Sequence, residues 1–490
     1  MITKQPIAAP PGLLPFLTVL AALFLARSLV TFPIEHVDAA FKYEAAAKIV
    51  RGEGLAPLLN NQHTLRWSEV LPQVVVTGVT RFHYAGLYVL PLLAFALIGA
   101  LIWRGLSPHL DRRQQLMLLA LLFLEPVALT HTGQLLNPPF GVAYTLLALT
   151  VLARPGPTTW PRTVLVAALF FCAYGAHSTY LSFFAAGVAW LLVFERRWPQ
   201  ALGLIVFMAV LIGLETVFFN ALSSDALSGG RLQALSSTNH MDQVMTRFKT
   251  HTALDLLTRW LELPLFSLAM AIGFAATVAY GLFRQRTLRN APDFLVLCVL
   301  AGGAYAVAIT FAVVSISPIR PIQPLRVMYL EPFMPFAVAV TSYAVARLER
   351  RLPRRLRPVL EGGALVGLVF LVGVAALQKG RWEEIANNRF NAFAWRADAE
   401  LGAFADRFRD GDILLVGKNR YALEKIIQYS GPVTVRRGHR GAKVSGPTPL
   451  SAHYQCVTGI RRIPLVDNER DCTKRETRSA RAEGLLQNSP

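Results

Sequence analysis

Residues 201–219 read ALGLIVFMAVLIGLETVFF, and this stretch decides the fold class because Glu215 is its only charged side chain. A helix needs about 20 mostly apolar residues to cross the hydrocarbon core of a bilayer. The chain has 490 residues, of which 53% are hydrophobic and only 16% charged. A soluble domain is about 25% charged, and a disordered chain has low hydrophobicity. The composition therefore excludes both a disordered chain and an ordinary cytosolic enzyme, and it indicates a membrane protein.

Ten other stretches have the same apolar character. The sequence predicts an all-α polytopic bundle of about 11 transmembrane helices. The first run lacks a small-residue cleavage site, which favours a retained helix over a signal peptide. The ten stretches are 12–32, 84–103, 114–130, 139–153, 163–176, 180–194, 264–282, 294–316, 330–346 and 359–377.

The net charge of +19 follows the topology. With the N-terminus in the cytoplasm, Lys and Arg are roughly three times denser in the cytoplasmic loops than in the outer loops, as the positive-inside rule requires. The basic segment 347–357 marks one end of the bundle. The loops 33–83 and 220–262 and the tail 378–490 are then extracytoplasmic.

The predicted domains follow from these loops. Residues 1–377 form the transmembrane domain, and its outer loop 33–83 carries the candidate catalytic site. Residues 378–472 form a small soluble extracytoplasmic α/β domain, in which 412–417 and 433–437 are strands and 421–429 a helix. Residues 473–490 are polar and aperiodic, so we expect a disordered tail.

Two helices are predicted inside the first outer loop, at 38–51 and 67–80. The first is rich in helix formers and is stopped by Gly52 and Gly54. Phe41, Ala45 and Ile49 recur every four residues and form an apolar stripe. We expect both helices to lie on the membrane surface beneath an outer cavity.

Asp38 is the strongest candidate for chemistry, since it follows the first span directly. A carboxylate at the mouth of a bundle can be partly desolvated, which raises its basicity for proton abstraction. The alternative is a simple N-cap of the helix that follows. Lys42 lies one turn further on and could pair with Asp38. Glu44 is a second carboxylate on another face, whereas Lys48 and Arg51 are expected in solvent.

A second candidate site is the proline-rich segment 317–332, which joins two late spans. Arg326 and Arg320 could hold a phosphate, because a guanidinium donates two parallel hydrogen bonds. Arginine at a membrane interface can equally well snorkel to lipid headgroups.

Several polar residues lie within or beside predicted spans. Ionisable groups there are functional candidates, although a single one often only bonds across helices. His131 and Asn137 flank one short outer loop and His177 tips the next, so these three could line a common cavity. The others are Arg27, Glu125 and Glu215.

No metal site or cofactor is expected. His131, His177 and His240 lack metal-ligand spacing, and the chain has no nucleotide-binding motif. No basic-aromatic platform indicates nucleic acid binding. Cys172 and Cys298 lie in apolar runs and are expected in the core. Cys456 and Cys472 fall on the oxidising side, where a disulfide between them is an open possibility.

The chain resembles the polytopic GT-C glycosyltransferases, which include protein O-mannosyltransferases, aminoarabinose transferases and related polyprenyl-phosphate-sugar transferases. The resemblance rests on the stretch EHVDAAFKYEAAA at 35–47 with its glycine stop, on LRVMYLEP at 325–332, and on the order of spans, first outer loop and C-terminal domain. It departs from the pattern in the loop 131–137, which holds no acidic residue.

The resemblance implies an inverting transfer of a sugar from a polyprenyl-phosphate carrier to a hydroxyl of a lipid, glycan or protein, at the periplasmic face of the bacterial inner membrane. Asp38 would deprotonate the acceptor, and Arg326, with Arg320 second, would hold the leaving phosphate. The expected partners are that donor, the acceptor and the bilayer, with no nucleic acid and no cofactor. The expected substrate-binding residues are His36, Lys42, Tyr43, Glu44, His131, Asn137, His177 and Tyr329.

A non-enzymatic membrane protein of lipid-linked glycan export, a flippase or a transporter, is the alternative. Transporters often repeat a pair of broken spans in two halves of the chain. No such correspondence between halves is visible in this sequence.

Overall fold

A computed structural model describes the membrane bundle and a few further segments. The described residues are 12–28, 37–61, 63–82, 86–125, 135–223, 252–283, 291–311, 313–316, 319–321, 327–351, 353, 413–416 and 434–437. The predicted span 359–377, the predicted helix 421–429, the predicted tail 473–490 and the pair Cys456 and Cys472 lie outside them.

The described part of the chain is mostly helical. Its α-helices are α1 (Leu13–Ser28), α2 (Val37–Val50), α3 (Trp67–Thr80), α4 (Gly86–Leu106), α5 (Arg112–Leu124), α6 (Asn137–Leu152), α7 (Trp160–Ala176), α8 (Leu181–Ala189), α9 (Trp198–Leu222), α10 (Ala253–Thr258), α11 (Leu265–Phe283), α12 (Asp293–Phe311) and α13 (Met334–Glu349). Short 3₁₀ segments occur at Ala56–Leu59, Ser107–His109, Ser178–Tyr180, Arg259–Glu262 and Val327–Phe333, and a π-helical turn at Trp190–Phe194 continues α8.

Ten of the eleven predicted spans coincide with helices among the described residues. By length and apolar composition, three described helical segments could cross a membrane on their own: Gly86–His109, Trp198–Leu222 and Asp293–Phe311. Five other described apolar helices are shorter, at 10–17 residues. The helical membrane bundle is therefore confirmed in outline, and the count of eleven spans stays a prediction.

The helices pack around one continuous apolar core. α6 packs on α7, α1 on α4, α11 on α13 and α8 on α12, and core side chains such as Leu146, Phe183 and Leu297 are fully buried. The outward face of α9 is the reverse, since Leu202 and Val217 are 63% and 66% exposed. Exposed apolar surface of this extent is typical of a membrane-facing helix.

The helix α2 is buried rather than laid on a surface, which corrects the sequence expectation. Lys42, Tyr43 and Ala46 are fully buried, whereas Phe41 and Ile49 of the predicted stripe are only half-buried. The alanines of α2 explain this depth, because their small side chains let neighbouring helices approach closely. The predicted end is confirmed: α2 stops at Val50, and Gly52 and Gly54 follow with φ of +95° and +64°.

The helix α3 is present over the predicted residues, with its polarity inverted. Glu69, Gln73 and Thr77 are fully buried, while Val75 and Val79 are 66% and 79% exposed. Gln73 Nε2 donates to the carbonyl of Gly86 at 3.2 Å. A helix with its polar face inward is suited to an apolar environment, in which protein partners must satisfy the polar groups.

A β-hairpin replaces the end of the predicted span 294–316. α12 ends at Phe311, and β1 (Val313–Ile316) pairs antiparallel with β2 (Ile319–Pro321). β-Branched residues in β1 favour a strand, and Pro318 disfavours helical geometry at the residue before it. The expectation of a continuous helix to residue 316 was wrong.

Two strands occur where the sequence predicts them in the C-terminal part. β3 (Ile413–Val416) pairs in parallel with β4 (Thr434–Arg437). The domain that would contain them lies otherwise outside the described residues and stays a prediction.

The two ends of the bundle differ, and each can be defined by one contact. At the α2 end, the hydroxyl of Tyr43 donates to the carbonyl of Leu87, near the start of α4, at 2.7 Å. At the opposite end, which we call the capped end, Asp111 and Gln114 form a capping box at the start of α5. Gln114 Nε2 also donates to Glu349 Oε2 at the end of α13, at 2.8 Å.

Candidate functional site

The first turn of α2 holds Asp38 at the α2 end. Asp38 is the second described residue of α2, and the residues before Val37 lie outside the description, so the alternative that Asp38 is the N-cap stays open. Its side chain lies outside the description, as does all of His36. The role of Asp38 as a base therefore stays a prediction.

Lys42 and Glu69 form a fully buried ion pair between α2 and α3. Lys42 Nζ contacts Glu69 Oε2 and also donates to the carbonyl of Leu135 at 2.8 Å. The pair thus ties together α2, α3 and the residues that precede α6. Ionised groups are buried at this depth only when partners compensate the loss of hydration. The sequence proposed Asp38 as the partner of Lys42 and did not single out Glu69.

Tyr43 and Glu44 have structural contacts. The hydroxyl of Tyr43 is bound to the start of α4, as given above, and Glu44 Oε1 lies 3.3 Å from Lys48 Nζ. Lys48 was expected in solvent, and its side chain is partly exposed within this i,i+4 pair. Arg51 is exposed as expected, and its guanidinium lies over the ring of Phe82 at 4.8 Å.

An aromatic group lies where α7 passes into α8. His177 is half-buried, and its Nδ1 lies 2.8 Å from Thr179 Oγ1. The ring of Tyr180 lies 5.7 Å from the ring of His177 and 6.1 Å from the ring of Tyr305 on α12. The hydroxyl of Tyr305 donates to the carbonyl of Tyr329 at 2.8 Å. His177 and Tyr329 are therefore brought into one cluster by two tyrosines that the sequence did not select.

Arg259 is a buried cation at the same end. It is 1% exposed, and Nη2 donates to the carbonyl of Ile309 near the end of α12. Nε and Nη1 are buried and have no hydrogen-bond partner among the described residues. Burial lowers the pKa of this guanidinium, and the nearby Tyr305 hydroxyl acts in the opposite direction. Arginine stays charged even so, because its ordinary pKa is above 12.

Carboxylates complete this cluster. Glu69 and Glu331 both interact electrostatically with the hydroxyl of Tyr180, as does Arg66. Glu331 and Arg259 both interact with the hydroxyl of Tyr305. Both tyrosines are therefore within electrostatic reach of buried carboxylates and of an arginine.

The remaining predicted residues are placed only in part. Arg320 lies in β2, opposite Ser315 of β1, and Asn137 is the first residue of α6. The side chains of both are outside the description, as are all of His131 and Arg326. The structure therefore brings Lys42, His177 and Tyr329 to one end of the bundle and leaves the other assignments as predictions.

A pocket lies next to Glu331 of this cluster, between α1, α4, α5, α6 and α13. Its lining is mostly apolar, with Glu125 and Glu331 as its charged residues. Ser267 donates a hydrogen bond to Glu125 Oε1. On α1, the buried guanidinium of Arg27 lies 4.4 Å from the ring centroid of Phe95, which lines the cavity.

The residues that sequence reasoning missed are Glu69, Tyr180, Arg259, Tyr305 and Glu331. Glu69 is the only ionised side chain of α3, and that signal could have been used. Arg259 stands in a polar stretch before an apolar helix, where arginines are common. Nothing in its local sequence distinguishes it.

No protein-family model matches the chain, and no curated protein matches it either. Among solved structures, the chain is similar to the crystal structure of ArnT from Cupriavidus metallidurans in the apo state. The two share 11% sequence identity, and the match covers 86% of this chain and 85% of that chain with a TM-score of 0.44. At that identity and TM-score, the similarity assigns neither a residue nor an activity to this chain.

Proposed function

We propose that the protein is a membrane glycosyltransferase, which moves a sugar from a polyprenyl-phosphate carrier to a hydroxyl acceptor at the periplasmic face of the bacterial inner membrane. The observation that carries the proposal is Arg259. A fully buried guanidinium with two nitrogens, Nε and Nη1, unpartnered among the described residues is suited to bind an anion, since leaving such donors empty costs about 1–3 kcal/mol.

The proposed chemistry is a single displacement. The acceptor oxygen forms a bond to the anomeric carbon while the bond from that carbon to the phosphate oxygen breaks, and the electron pair leaves with the phosphate. The acceptor proton passes to Asp38. Arg326, with Arg320 second, would stabilise the leaving phosphate, and the burial of Arg259 supports adding it to that set.

The placement of α2 supports Asp38 as the base. The Lys42–Glu69 pair and the hydroxyl of Tyr43 hold α2 in the bundle at two points. A base must be held at a fixed position relative to its substrate to be effective. Asp38 lies one turn before Lys42, in the first turn of the helix that these contacts hold.

A transporter or flippase is the second candidate, and the cavity favours it. Glu125 and Glu331 line an apolar cavity inside the bundle, and carboxylates at such positions often serve a transport pathway. The same two residues are also compatible with a transferase whose donor lies in the bundle.

The test measures transfer of a radiolabelled sugar from polyprenyl-phosphate-sugar to extracted envelope lipids and glycans by the purified protein. We expect Asp38→Asn to lower the rate by about 10²–10⁴-fold, the contribution of a general base. Glu53→Gln is the control, because Glu53 is an exposed carboxylate just after α2, and it should retain the rate. Arg326→Ala should raise the KM for the donor.

Two outcomes would contradict the proposal. An Asp38→Asn variant as fast as the wild type removes the base assignment. A wild type that transfers no sugar but exchanges labelled lipid-linked sugar across proteoliposome membranes would establish the transport alternative instead.

A further inference from the structure

The outward side of α3 is an apolar stripe, which we call the α3 face. It consists of Leu71, Val75 and Val79, which recur every four residues and therefore lie on one side of the helix. Leu71 is half-buried, whereas Val75 and Val79 are 66% and 79% exposed. Apolar side chains exposed next to one another indicate a surface that has an apolar partner.

The helix α9 gives the depth of the α3 face in a membrane. α9 has 25 residues, so it is about 37 Å long and exceeds the hydrocarbon core of about 30 Å. Trp67, the first residue of α3, donates to Glu215, which lies seven residues before the end of α9 at Leu222. Leu214 and Val217, on either side of Glu215, are 60% and 66% exposed. The start of α3 therefore adjoins a membrane-facing surface, close to one boundary of the hydrocarbon core.

Two exposed arginines lie at the other end of the α3 face. Arg81 follows α3 and Arg51 follows α2. The guanidinium of Arg51 lies 4.8 Å from the ring centroid of Phe82, so it is placed beside the residue next to Arg81. Positive charge at the edge of an apolar surface is complementary to the phosphate groups of lipids.

The backbone after α3 has an unusual conformation that sets this arrangement. Arg81 and Phe82 have φ of +50° and +63°, which residues with a Cβ disfavour. The N–H of Phe82 donates to the carbonyl of Thr77 at 3.2 Å, and that of Arg81 to the carbonyl of Gly78 at 3.4 Å. These bonds end α3 with a sharp turn, after which Phe82 lies under Arg51. Glycine would adopt both angles without strain, so the backbone alone does not favour an arginine or a phenylalanine here.

We propose that the α3 face lies against the bilayer and that Arg51 and Arg81 bind the phosphate groups of anionic phospholipids. A guanidinium donates two parallel hydrogen bonds to a phosphate, while the stripe contacts the acyl chains. A second copy of the chain is disfavoured as the partner, because a two-fold contact through this face would bring like charges together. The inference goes beyond the proposed function and does not depend on it, since lipid would bind whether or not the protein transfers sugar.

The experiment identifies the molecules that touch the α3 face. The photocrosslinking residue p-benzoylphenylalanine replaces Val79 in the full chain, which is placed in nanodiscs of phosphatidylcholine and phosphatidylglycerol. Mass spectrometry then identifies what is crosslinked. We expect the ratio of phosphatidylglycerol to phosphatidylcholine to exceed that of the bilayer by about fivefold for each arginine. The same residue in place of Val210 on α9, which is 52% exposed, should give the ratio of the bilayer.

Three charge variants, each combined with the crosslinking residue at Val79, test the arginines. Arg51→Gln/Arg81→Gln should still crosslink to lipid, but in the ratio of the bilayer. Arg112→Gln removes an exposed charge of the same sign at the capped end and should keep the enrichment. Glu53→Gln removes an exposed carboxylate two residues after Arg51 and should keep or raise it.

Three results would overturn the inference. The first is a lipid ratio at Val79 equal to that of the bilayer, and the second is an enrichment that survives in the double arginine variant. The third is a crosslink to a peptide of this chain instead of lipid, which would show that another segment or a second copy covers the face. None of these results involves sugar transfer, so the proposed function is tested separately by its own assay.

Discussion

The α2 end and the capped end of the bundle differ in how their polar side chains are partnered. At the capped end, Gln114 donates to Glu349, Arg350 donates to the carbonyl of His109 at 2.6 Å, and Asp111 caps α5. At the α2 end, two buried nitrogens of Arg259, Nε and Nη1, are unpartnered among the described residues. Satisfied groups stabilise a fold, whereas fixed and unsatisfied ones are prepared for a ligand.

The largest effect should come from breaking the buried pair of the α2 end. Lys42→Met leaves the Glu69 carboxylate buried without its cation, which should lower the free energy of unfolding by about 3–5 kcal/mol. The double variant Lys42→Met/Glu69→Met should recover most of this loss. Thermal unfolding in detergent measures both variants. A double variant no more stable than the single one would show that the bond from Lys42 to the carbonyl of Leu135 matters more than the charge pair.

Arg259→Met should change the KM for the donor without lowering the free energy of unfolding. Removal of a buried cation with unpartnered donors should leave the free energy of unfolding unchanged or raise it by about 1–2 kcal/mol. The KM for the donor should rise about 10- to 100-fold with the loss of charged hydrogen bonds. A large loss of stability with an unchanged KM would assign Arg259 to the fold instead.

Arg259→Lys should make donor binding dependent on pH. Burial lowers the pKa of a cation at this position, and the ordinary pKa of lysine, about 10.4, is already below that of arginine. The lysine is charged below its lowered pKa and loses its charge as the pH rises through that value. Donor affinity of the variant should therefore fall as the pH rises toward the ordinary pKa of lysine, about 10.4, while that of the wild type stays level. Equal pH profiles for the two proteins would argue against a charge contact with the donor.

The smallest effects are expected at the capped end. Asp111→Ala should lower the free energy of unfolding by about 1 kcal/mol, as for the loss of an N-cap. Sugar transfer should not change, because Asp111 lies at the end of the bundle far from Asp38. A fall in transfer greater than the fall in folded protein would mean that the two ends are coupled.

Hydrophobicity along the chain predicted most of the helices, because an apolar run can be recognised without knowing which helices pack against it. The helices α2 and α3, the glycine stop after α2 and the strands β3 and β4 were likewise predicted from local patterns. The hairpin after α12 was missed, since the apolar run hid the β-branched residues Val313 and Val314 and the effect of Pro318.

The candidate site depends on contacts that no local pattern contains. Lys42 and Glu69 are 27 residues apart, and Arg259 meets Ile309 across 50 residues. Periodicity showed that α2 was a helix, but it selected the face of Phe41 and Ile49 rather than the buried face of Lys42 and Tyr43. Asp38 was the strongest candidate in the sequence. Its role as the general base stays a prediction, which the transfer assay tests.

The contacts at the start of α3 have a consequence for the order in which the protein assembles during synthesis. Trp67 Nε1 donates to Glu215, which is made 148 residues later, and the carbonyl of Ser68 accepts from Tyr144, made 76 residues later. At about 5–20 residues per second, the first interval lasts roughly 7–30 s. Over that time the start of α3 lacks these two partners, so in ribosome-bound chains protease should cleave there until residue 215 has emerged. The contact between Trp67 and Glu215 of α9 thus forms only after most of the intervening helices have been made.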